Sequence, residues 1–142
     1  MSSNKNNKAS IDREKLERCI TLLSELKEIE CEITYSKVSE EDKARGVVPC
    51  PYPHYKYPKE LFEVESLLPD DYDYPVNIRK FLPKSKYVKD VDFSKLTIKN
   101  ISTIITWVFE QERFGEGSIA NGVRTGILLN SLLRLREILD EH

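Results

Sequence analysis

Hydrophobic residues near the start of the chain recur at steps of three and four positions. Between residues 12 and 28 this spacing places them on one side of a helix, with charged residues on the other side. Ser10 or Asp12 can cap that helix at its N-terminus. The pattern therefore predicts an amphipathic first helix over about residues 12–28. The apolar residues on its buried side are Leu16, Cys19, Ile20, Leu23 and Leu26.

From Cys31 the period of the pattern changes to two, which is typical of a β-strand. Apolar residues at 31, 33 and 35 alternate with polar ones, so we predict a half-buried strand. Residues 37–46 are charged and predict a loop, and residues 47–50 predict a partner strand that completes a hairpin. Cys31 and Cys50 can face each other across this hairpin, where two small apolar side chains are favoured over a redox pair.

A stretch rich in proline and tyrosine follows at residues 51–58. Its prolines forbid a helix and favour an extended path. One interpretation is a ligand-contacting aromatic ledge that presents Tyr52 and His54. The other is a stiff connector whose rings pack over the core. The connector is favoured, because extended aromatic segments commonly cover a small core.

The middle of the chain predicts two short helices with an acidic turn between them. Pro58 suits the first turn of the first helix, which ends before Pro69. Residues 70–74 carry three carboxylates, but they lack the glycine and the distal glutamate of a calcium loop. A solvated loop is therefore favoured over a cation site. Residues 75–82 predict the second short helix.

The strongest amphipathic pattern covers residues 98–114, and Thr97 can cap this helix. At 100° per residue, its isoleucines, Val108 and Phe109 fall in one arc, whereas Trp107 and Phe114 fall near the opposite side. Two apolar faces predict a helix that is sandwiched between other elements.

Glycines mark the boundaries of the helices that follow the predicted helix at residues 98–114. Gly115 and Gly117 provide a break, Ser118 can cap a short helix, and Gly126 can end it. A leucine-rich face then extends to Leu139 and predicts a last helix in the core.

Glu112 lies within the main apolar arc, in the last turn of the predicted central helix. A carboxylate on a core face needs a partner, and the helix dipole disfavours negative charge at this end. The backbone N–H groups of the helix that starts near Ser118 are one kind of candidate partner. Arginine side chains are the other, namely Arg113, Arg124, Arg134 and Arg136.

Two interpretations of Glu112, Arg113 and Glu116 remain open. In the first, they form a structural network of ion pairs and caps at the turn between two helices. In the second, they line a cleft as a binding or catalytic cluster, with His54 or Tyr52 nearby. The structural interpretation is favoured, because the residues have no paired base and nucleophile and no Walker-type phosphate loop.

Composition removes several classes of protein from consideration. The chain has 142 residues, of which 39% are hydrophobic and 32% charged, with a net charge of -2 from 22 basic and 24 acidic residues. This near balance makes nucleic acid an unlikely partner, although basic residues occur at 80–89 and 124–136. Three widely spaced cysteines and two histidines predict no metal site and free thiols in a cytoplasmic protein. No cofactor and no membrane contact are predicted.

The C-terminal half resembles a known family. Residues 103–117 read Thr-Ile-Ile-Thr-Trp-Val-Phe-Glu-Gln-Glu-Arg-Phe-Gly-Glu-Gly, and Gly-Ile-Leu at 126–128 and Leu-Leu-Arg-Leu at 132–135 follow. This arrangement resembles the signature of the domain of unknown function 6508 family, a bacterial group. Its members have a helix that ends in Glu-Arg-Phe, an acidic residue with two glycines, and a leucine-rich helix with an arginine.

The resemblance covers about residues 22–139 and is looser in the N-terminal half. Pro-Tyr-Pro at 51–53, Tyr57 and Asp-Tyr-Pro at 73–75 are similar to family segments. Gly115 and the lysine-bearing insert at 84–89 depart from the family pattern. The resemblance implies a stand-alone cytoplasmic domain of bacterial or phage origin, and it implies no chemistry.

Together these patterns predict an α+β fold that is mainly helical, in which a small antiparallel hairpin packs with a bundle of about four to six helices. Residues 1–10 are predicted to be a disordered polar tail, and residues 11–142 a single domain. The predicted function is a non-catalytic interaction module that binds another protein or a second copy of itself. The alternative is a small ligand-binding or hydrolase-like enzyme that uses Glu112, Arg113 and Glu116.

Overall fold

A long helix near the C-terminus is surrounded by most of the other elements. The computed structural model describes residues 11–82, 91–114 and 117–141. Its elements, in chain order, are α1 (Arg13–Glu25), β1 (Cys31–Tyr35), α2 (Glu40–Ala44), β2 (Pro51–Tyr55), the 3-10 helix η1 (Lys59–Ser66), α3 (Tyr74–Phe81), the 3-10 helix η2 (Phe93–Lys95), α4 (Ile98–Gln111), α5 (Ser118–Arg124) and α6 (Ile127–Asp140). The architecture is α+β and mainly helical, as predicted. The polar tail at 1–10 and the lysines Lys84, Lys86 and Lys89 lie outside the described residues.

α4 is the centre of the core. It packs against α3, α5, α6 and η1, and α1 closes the far side by packing on α6 and η1. Every residue from 101 to 106 is buried, so the helix is enclosed on more than one face. This confirms that the helix is sandwiched, but the second buried face is formed by Ser102, Thr103 and Thr106 and not by the predicted Trp107 and Phe114. The side chains at its middle that lose essentially all contact with water are Ile101, Ile104, Ile105 and Val108.

Two of the predicted N-terminal caps are present. The Asp12 carboxylate accepts a hydrogen bond from the Lys15 amide at 3.1 Å and starts α1. Thr97 and Asn100 form a capping box at the start of α4, each side chain accepting from the other's backbone amide at 3.1 and 3.0 Å. α1 ends at Glu25, before the predicted boundary, because Leu26 already has an extended backbone conformation.

The hairpin exists, but its second strand lies later than predicted. β1 pairs in antiparallel fashion with β2, so that Ile33 opposes Pro53 and Cys31 opposes Tyr55. The prediction of a strand at 47–50 was wrong. Ser39 caps the short helix α2 within the supposed loop, and the Val47 amide folds back onto the Asp42 carbonyl at 3.0 Å. Residues 47–50 therefore lead out of α2 rather than pair with β1.

The predicted burial of the hairpin was also wrong. All five residues of β1 are exposed, and Tyr55 is the one residue of β2 that is partly buried. Cys31 and Cys50 do not oppose each other, because Cys50 pairs with Ser36 at the other end of the ladder. Both thiols are exposed, so neither is a core residue, whereas Cys19 is buried.

The middle of the chain agrees with the predicted helices in position, but not always in type. The segment after Pro58 forms a 3-10 helix, η1, that buries Leu61 and Val64. The short helix predicted at 75–82 is α3, which begins one residue earlier and buries Ile78 against the core. Both segments pack against α4.

Candidate functional site

Glu112 lies at the junction where α4 passes into α5. It is the first residue after α4, and its carboxylate is directed at the start of the next helix. Oε1 accepts a hydrogen bond from the Ile119 amide at 2.9 Å, and the Gly117 amide lies 3.2 and 3.1 Å from Oε1 and Oε2. Backbone N–H groups are thus the partners of this carboxylate, which was one of the two alternatives predicted.

The third donor to Glu112 is Tyr57, which sequence analysis did not identify. Its hydroxyl donates to Oε1 of Glu112 at 2.9 Å. The Tyr57 ring stacks on Tyr55 and meets Phe62 edge-on, with ring centroids 6.0 and 6.1 Å apart. Burial of the Tyr57 hydroxyl, and then its hydrogen bond to Glu112, raise the pKa of Tyr57 above its ordinary value. The phenol therefore stays protonated and donates to the carboxylate.

Ser118 does not cap α5, contrary to the prediction. The capping position belongs to Gly117, whose φ of 115° is open to glycine and strained for other residues. The Ser118 hydroxyl instead donates to the Val108 carbonyl at 2.8 Å. The last carbonyls of one helix and the first amides of the next have no partner within their own helix. Glu112, which follows α4, accepts from an amide of α5, and Ser118 of α5 donates to a carbonyl of α4.

The remaining candidate residues lie in different places. Arg113 is exposed, and its guanidinium lies 3.5 Å from the Glu110 carboxylate. Tyr52 and His54 are exposed on β2, opposite Thr34 and Glu32. Glu116 lies outside the described residues.

Tyr55 and Tyr57, rather than Tyr52 and His54, connect the proline- and tyrosine-rich segment to the junction. Successive residues of a strand point to opposite sides, so Tyr55 points away from the side that carries Tyr52 and His54. A Cβ built on Gly117 would lie 3.3 Å from the Tyr55 ring. Tyr55 and Tyr57 therefore cover the junction. Their alternating spacing is the signal from which the sequence could have indicated them.

A second buried carboxylate, Asp71, was predicted to be part of a solvated loop. That prediction was wrong, because Asp71 is 2% exposed. The Thr103 hydroxyl donates to Oδ2 at 2.5 Å and the Asp73 amide to Oδ1 at 3.0 Å. Asn77 and Lys99 supply further donors at 3.0 and 3.3 Å.

The surroundings of Asp71 decide its charge state. Burial alone raises the pKa of Asp71, but the hydrogen bonds from Asn77, Thr103, the Asp73 amide and Lys99 outweigh burial and hold the pKa at about 2. The backbone also contributes to the attachment, since the Asp71 amide donates to the Thr106 hydroxyl at 2.9 Å. Asp71 is thus an ionised anchor that fixes the turn before α3 onto α4.

The described ranges contain neither a cluster of metal ligands nor a membrane-spanning helix. At residues 11–82, 91–114 and 117–141, no three His, Cys, Asp or Glu side chains are grouped so that they could hold a metal ion. Over the same residues, no helix has both the length and the apolar character needed to cross a bilayer.

Comparison with known proteins places the chain in a family. No curated protein and no solved structure matches it. The profile of one family, described as a family of unknown function (DUF6508), matches residues 11–141. That span includes every element described above, from α1 to α6. The chain therefore belongs to the DUF6508 family.

Proposed function

We propose that this chain is a protein-interaction domain that associates with a second copy of itself through the outer edge of β1. The observation that carries the proposal is the exposed two-stranded hairpin. An isolated pair of strands is only marginally stable in water, and further strands or a packed layer are needed to support it. Here nine of the ten strand residues are exposed, the exception being Tyr55. Tyr55 is therefore the one strand side chain that packs on the helices, which is little support for a sheet.

The hydrogen-bonding pattern of the hairpin leaves one edge open. Every second pair of an antiparallel ladder exchanges backbone hydrogen bonds. The Ser36 amide donates to the Cys50 carbonyl at 3.0 Å, and the Lys56 amide donates to the Glu30 carbonyl at 2.9 Å. Since every second residue of β1 takes part, residues 32 and 34 also exchange backbone hydrogen bonds with β2, as residues 30 and 36 do. The backbone groups of residues 31, 33 and 35 therefore point outward.

The other edge of the hairpin is protected. Pro51 and Pro53 oppose Tyr35 and Ile33 at the pairs that do not exchange hydrogen bonds. Their missing N–H groups would have pointed outward from β2, so an added strand would find no donors there. Proline on an edge strand is a common device against sheet extension. β1 has no such protection.

The sequence of β1 is compatible with pairing to itself. Its five residues are Cys31, Glu32, Ile33, Thr34 and Tyr35. A two-fold axis at Ile33 would place Cys31 opposite Tyr35 of the second copy and Glu32 opposite its Thr34. Apolar residues would then meet on one face, and no like charges would be opposed. A symmetric four-stranded sheet would use all the outward backbone groups of β1.

The alternative, a ligand-binding or hydrolase-like enzyme based on Glu112, Arg113 and Glu116, has less support. The Glu112 carboxylate accepts hydrogen bonds from Tyr57, Gly117 and Ile119, which is what a helix cap needs. Arg113 faces Glu110 in an exposed ion pair. These contacts explain the position of the Glu112 carboxylate through its contribution to stability, without a role in binding or catalysis.

A reducing, cytoplasmic setting is part of the proposal. All three cysteines are free thiols, and Cys31 and Cys50 are exposed. Exposed free thiols persist in a compartment that keeps them reduced. A bacterial or phage source, which the family resemblance implied, is likewise proposed.

The test is the oligomeric state in solution, measured by sedimentation equilibrium over a range of protein concentrations. We expect a reversible dimer. Ile33→Lys, on the 56% exposed side chain at the centre of β1, should weaken dimerisation at least tenfold. Val48→Lys is the matched control, since Val48 is 70% exposed outside both strands and should leave the dimer intact. A wild-type protein that stays monomeric at every concentration would overturn the proposal.

A further inference from the structure

A cleft lies between the C-terminal part of α4 and α5, at the edge of the core. Its volume is about 350 Å³, within the range of roughly 300–1,000 Å³ that is typical of small-molecule sites. The lining residues share one property, which is that none of them carries a charge. They are Trp107, Val108, Gln111, Phe114, Ser118, Asn121, Gly122, Thr125 and Ile127.

Helical spacing builds the first wall of this cleft. Trp107, Gln111 and Phe114 are separated by four and three residues, so they form a row along one face of α4 that extends into the following turn. This is the second apolar face that the sequence predicted for the helix. Phe114 is 80% exposed, a large apolar surface to leave in water. Trp107 is half-buried beside it.

The second wall and the floor come from α5. Asn121 lies on this helix, and Thr125 follows its last residue, one turn further along. Gly122 lets α5 pack closely on the core, because a Cβ at this position would lie 3.1 Å from Cγ1 of Val108 and 3.3 Å from Leu128. The two helices therefore approach closely at Gly122, and the cleft opens above this point of contact.

The polar side chains of the cleft are two hydroxyls and two carboxamides. The hydroxyls of Ser118 and Thr125 already donate to the carbonyls of Val108 and Asn121. The Asn121 Oδ1 atom accepts a hydrogen bond from Arg124 at 2.5 Å, which leaves the Nδ2 group of Asn121 as a donor. The Gln111 side chain makes no hydrogen bond with the described part of the chain, so both its donor and its acceptor can serve a ligand. A pair of amides next to aromatic rings suits a flat ligand with hydrogen-bonding edges.

We infer that this cleft binds an uncharged planar heterocycle of the nucleobase or nucleoside class. Bases stack on aromatic side chains, here Phe114 and Trp107, and a glutamine or asparagine carboxamide pairs with donors and acceptors on a base edge. No lining residue carries a charge, and the guanidinium of the neighbouring Arg124 donates to the Asn121 carboxamide. The nearby amides of Gly117 and Ile119 already donate to the Glu112 carboxylate. A free base or nucleoside therefore fits better than a nucleotide.

Trp107 is the only tryptophan in the chain, so its fluorescence reports on this cleft directly. We expect adenosine, titrated into the wild-type protein, to change that fluorescence saturably. Phe114→Ala should weaken adenosine binding at least tenfold through lost stacking, and Gln111→Leu should weaken it severalfold. Tyr72→Ala is the matched control, because Tyr72 is 88% exposed and does not line the cleft.

The same assay decides the class of ligand. AMP should bind no more tightly than adenosine, and N-acetylglucosamine should give no saturable change. Tighter binding of AMP would overturn the assignment of an uncharged ligand. Saturation by the sugar and not by adenosine, guanosine, cytidine or uridine would overturn the nucleobase class. Unchanged adenosine binding by Phe114→Ala, or no response to any nucleoside, would remove the site.

Discussion

The Oε1 atom of Glu112 lies 2.9 Å from the backbone nitrogen of Ile119, so a side chain that follows α4 caps the first turn of α5. Ser118 returns the interaction by donating to the Val108 carbonyl of α4 at 2.8 Å. Tyr57 adds a donor from the segment that leaves the hairpin. One carboxylate thus connects α4, α5 and the hairpin end of the molecule.

Replacement of Glu112 by glutamine tests this connection. The amide keeps the shape of the side chain, but it removes the charge that strengthens the hydrogen bonds from three donors. It also turns one N–H₂ group toward backbone donors. We expect the free energy of unfolding to fall by about 1–3 kcal/mol. Urea denaturation followed by circular dichroism measures this quantity. Glu41→Gln, at an exposed position of α2, is the control and should have little effect.

Tyr57→Phe removes the hydroxyl donor and keeps most of the stacking on Tyr55. Alone it should lower the free energy of unfolding by about 1 kcal/mol. Since Tyr57 and Glu112 are in direct contact, the double variant should lose less than the sum of the two single losses, with a coupling of about 0.5 kcal/mol or more. Additive losses in the same denaturation assay would contradict a direct bond between them.

Glu112 shows what the sequence could predict. Its place on the apolar arc of a long periodic helix, followed by two glycines, was enough to indicate a carboxylate that needs local partners. The amide partners lie within seven residues of it, at Gly117 and Ile119. Tyr57 is 55 residues away along the chain. No local pattern encodes that contact, which depends on how the hairpin packs against the helices.

Asp71 and the second strand show where local patterns mislead. The acidic sequence of the turn predicted a solvated loop. Asp71 is buried instead, because its carboxylate accepts from Thr103, a polar residue on a buried face of α4. Prolines argue against a strand, but Pro51 and Pro53 lie where β2 needs no donor. In both cases the deciding partner comes from another element. The periodic helices, whose burial follows from their own sequence, were predicted far better.

Asp71→Asn should destabilise the fold more than any surface change in the same turn. The asparagine N–H₂ group would meet the donors of Asn77, Thr103 and the Asp73 amide in a buried site. We expect a loss of about 2–4 kcal/mol in the free energy of unfolding. Asp70→Asn is the matched control, because Asp70 is the exposed neighbour. Equal stability of the two variants in thermal and urea denaturation would show that the Asp71 carboxylate does not anchor α3 to α4.

The same carboxylate predicts how stability depends on pH. In the folded protein the pKa of Asp71 is held at about 2, below the value of about 3.9 for an aspartate in an unfolded chain. A depressed pKa stabilises the fold at a pH above the unfolded value, and that contribution is lost as the pH falls through the folded value. The difference in unfolding free energy between the wild-type protein and Asp71→Asn should therefore be largest above about pH 5 and shrink toward pH 2. Urea denaturation of both proteins across this range measures the difference. A difference that stays constant would mean that the carboxylate titrates alike in the folded and unfolded chains, and the hydrogen bonds from Asn77, Thr103 and Lys99 would then not hold its charge.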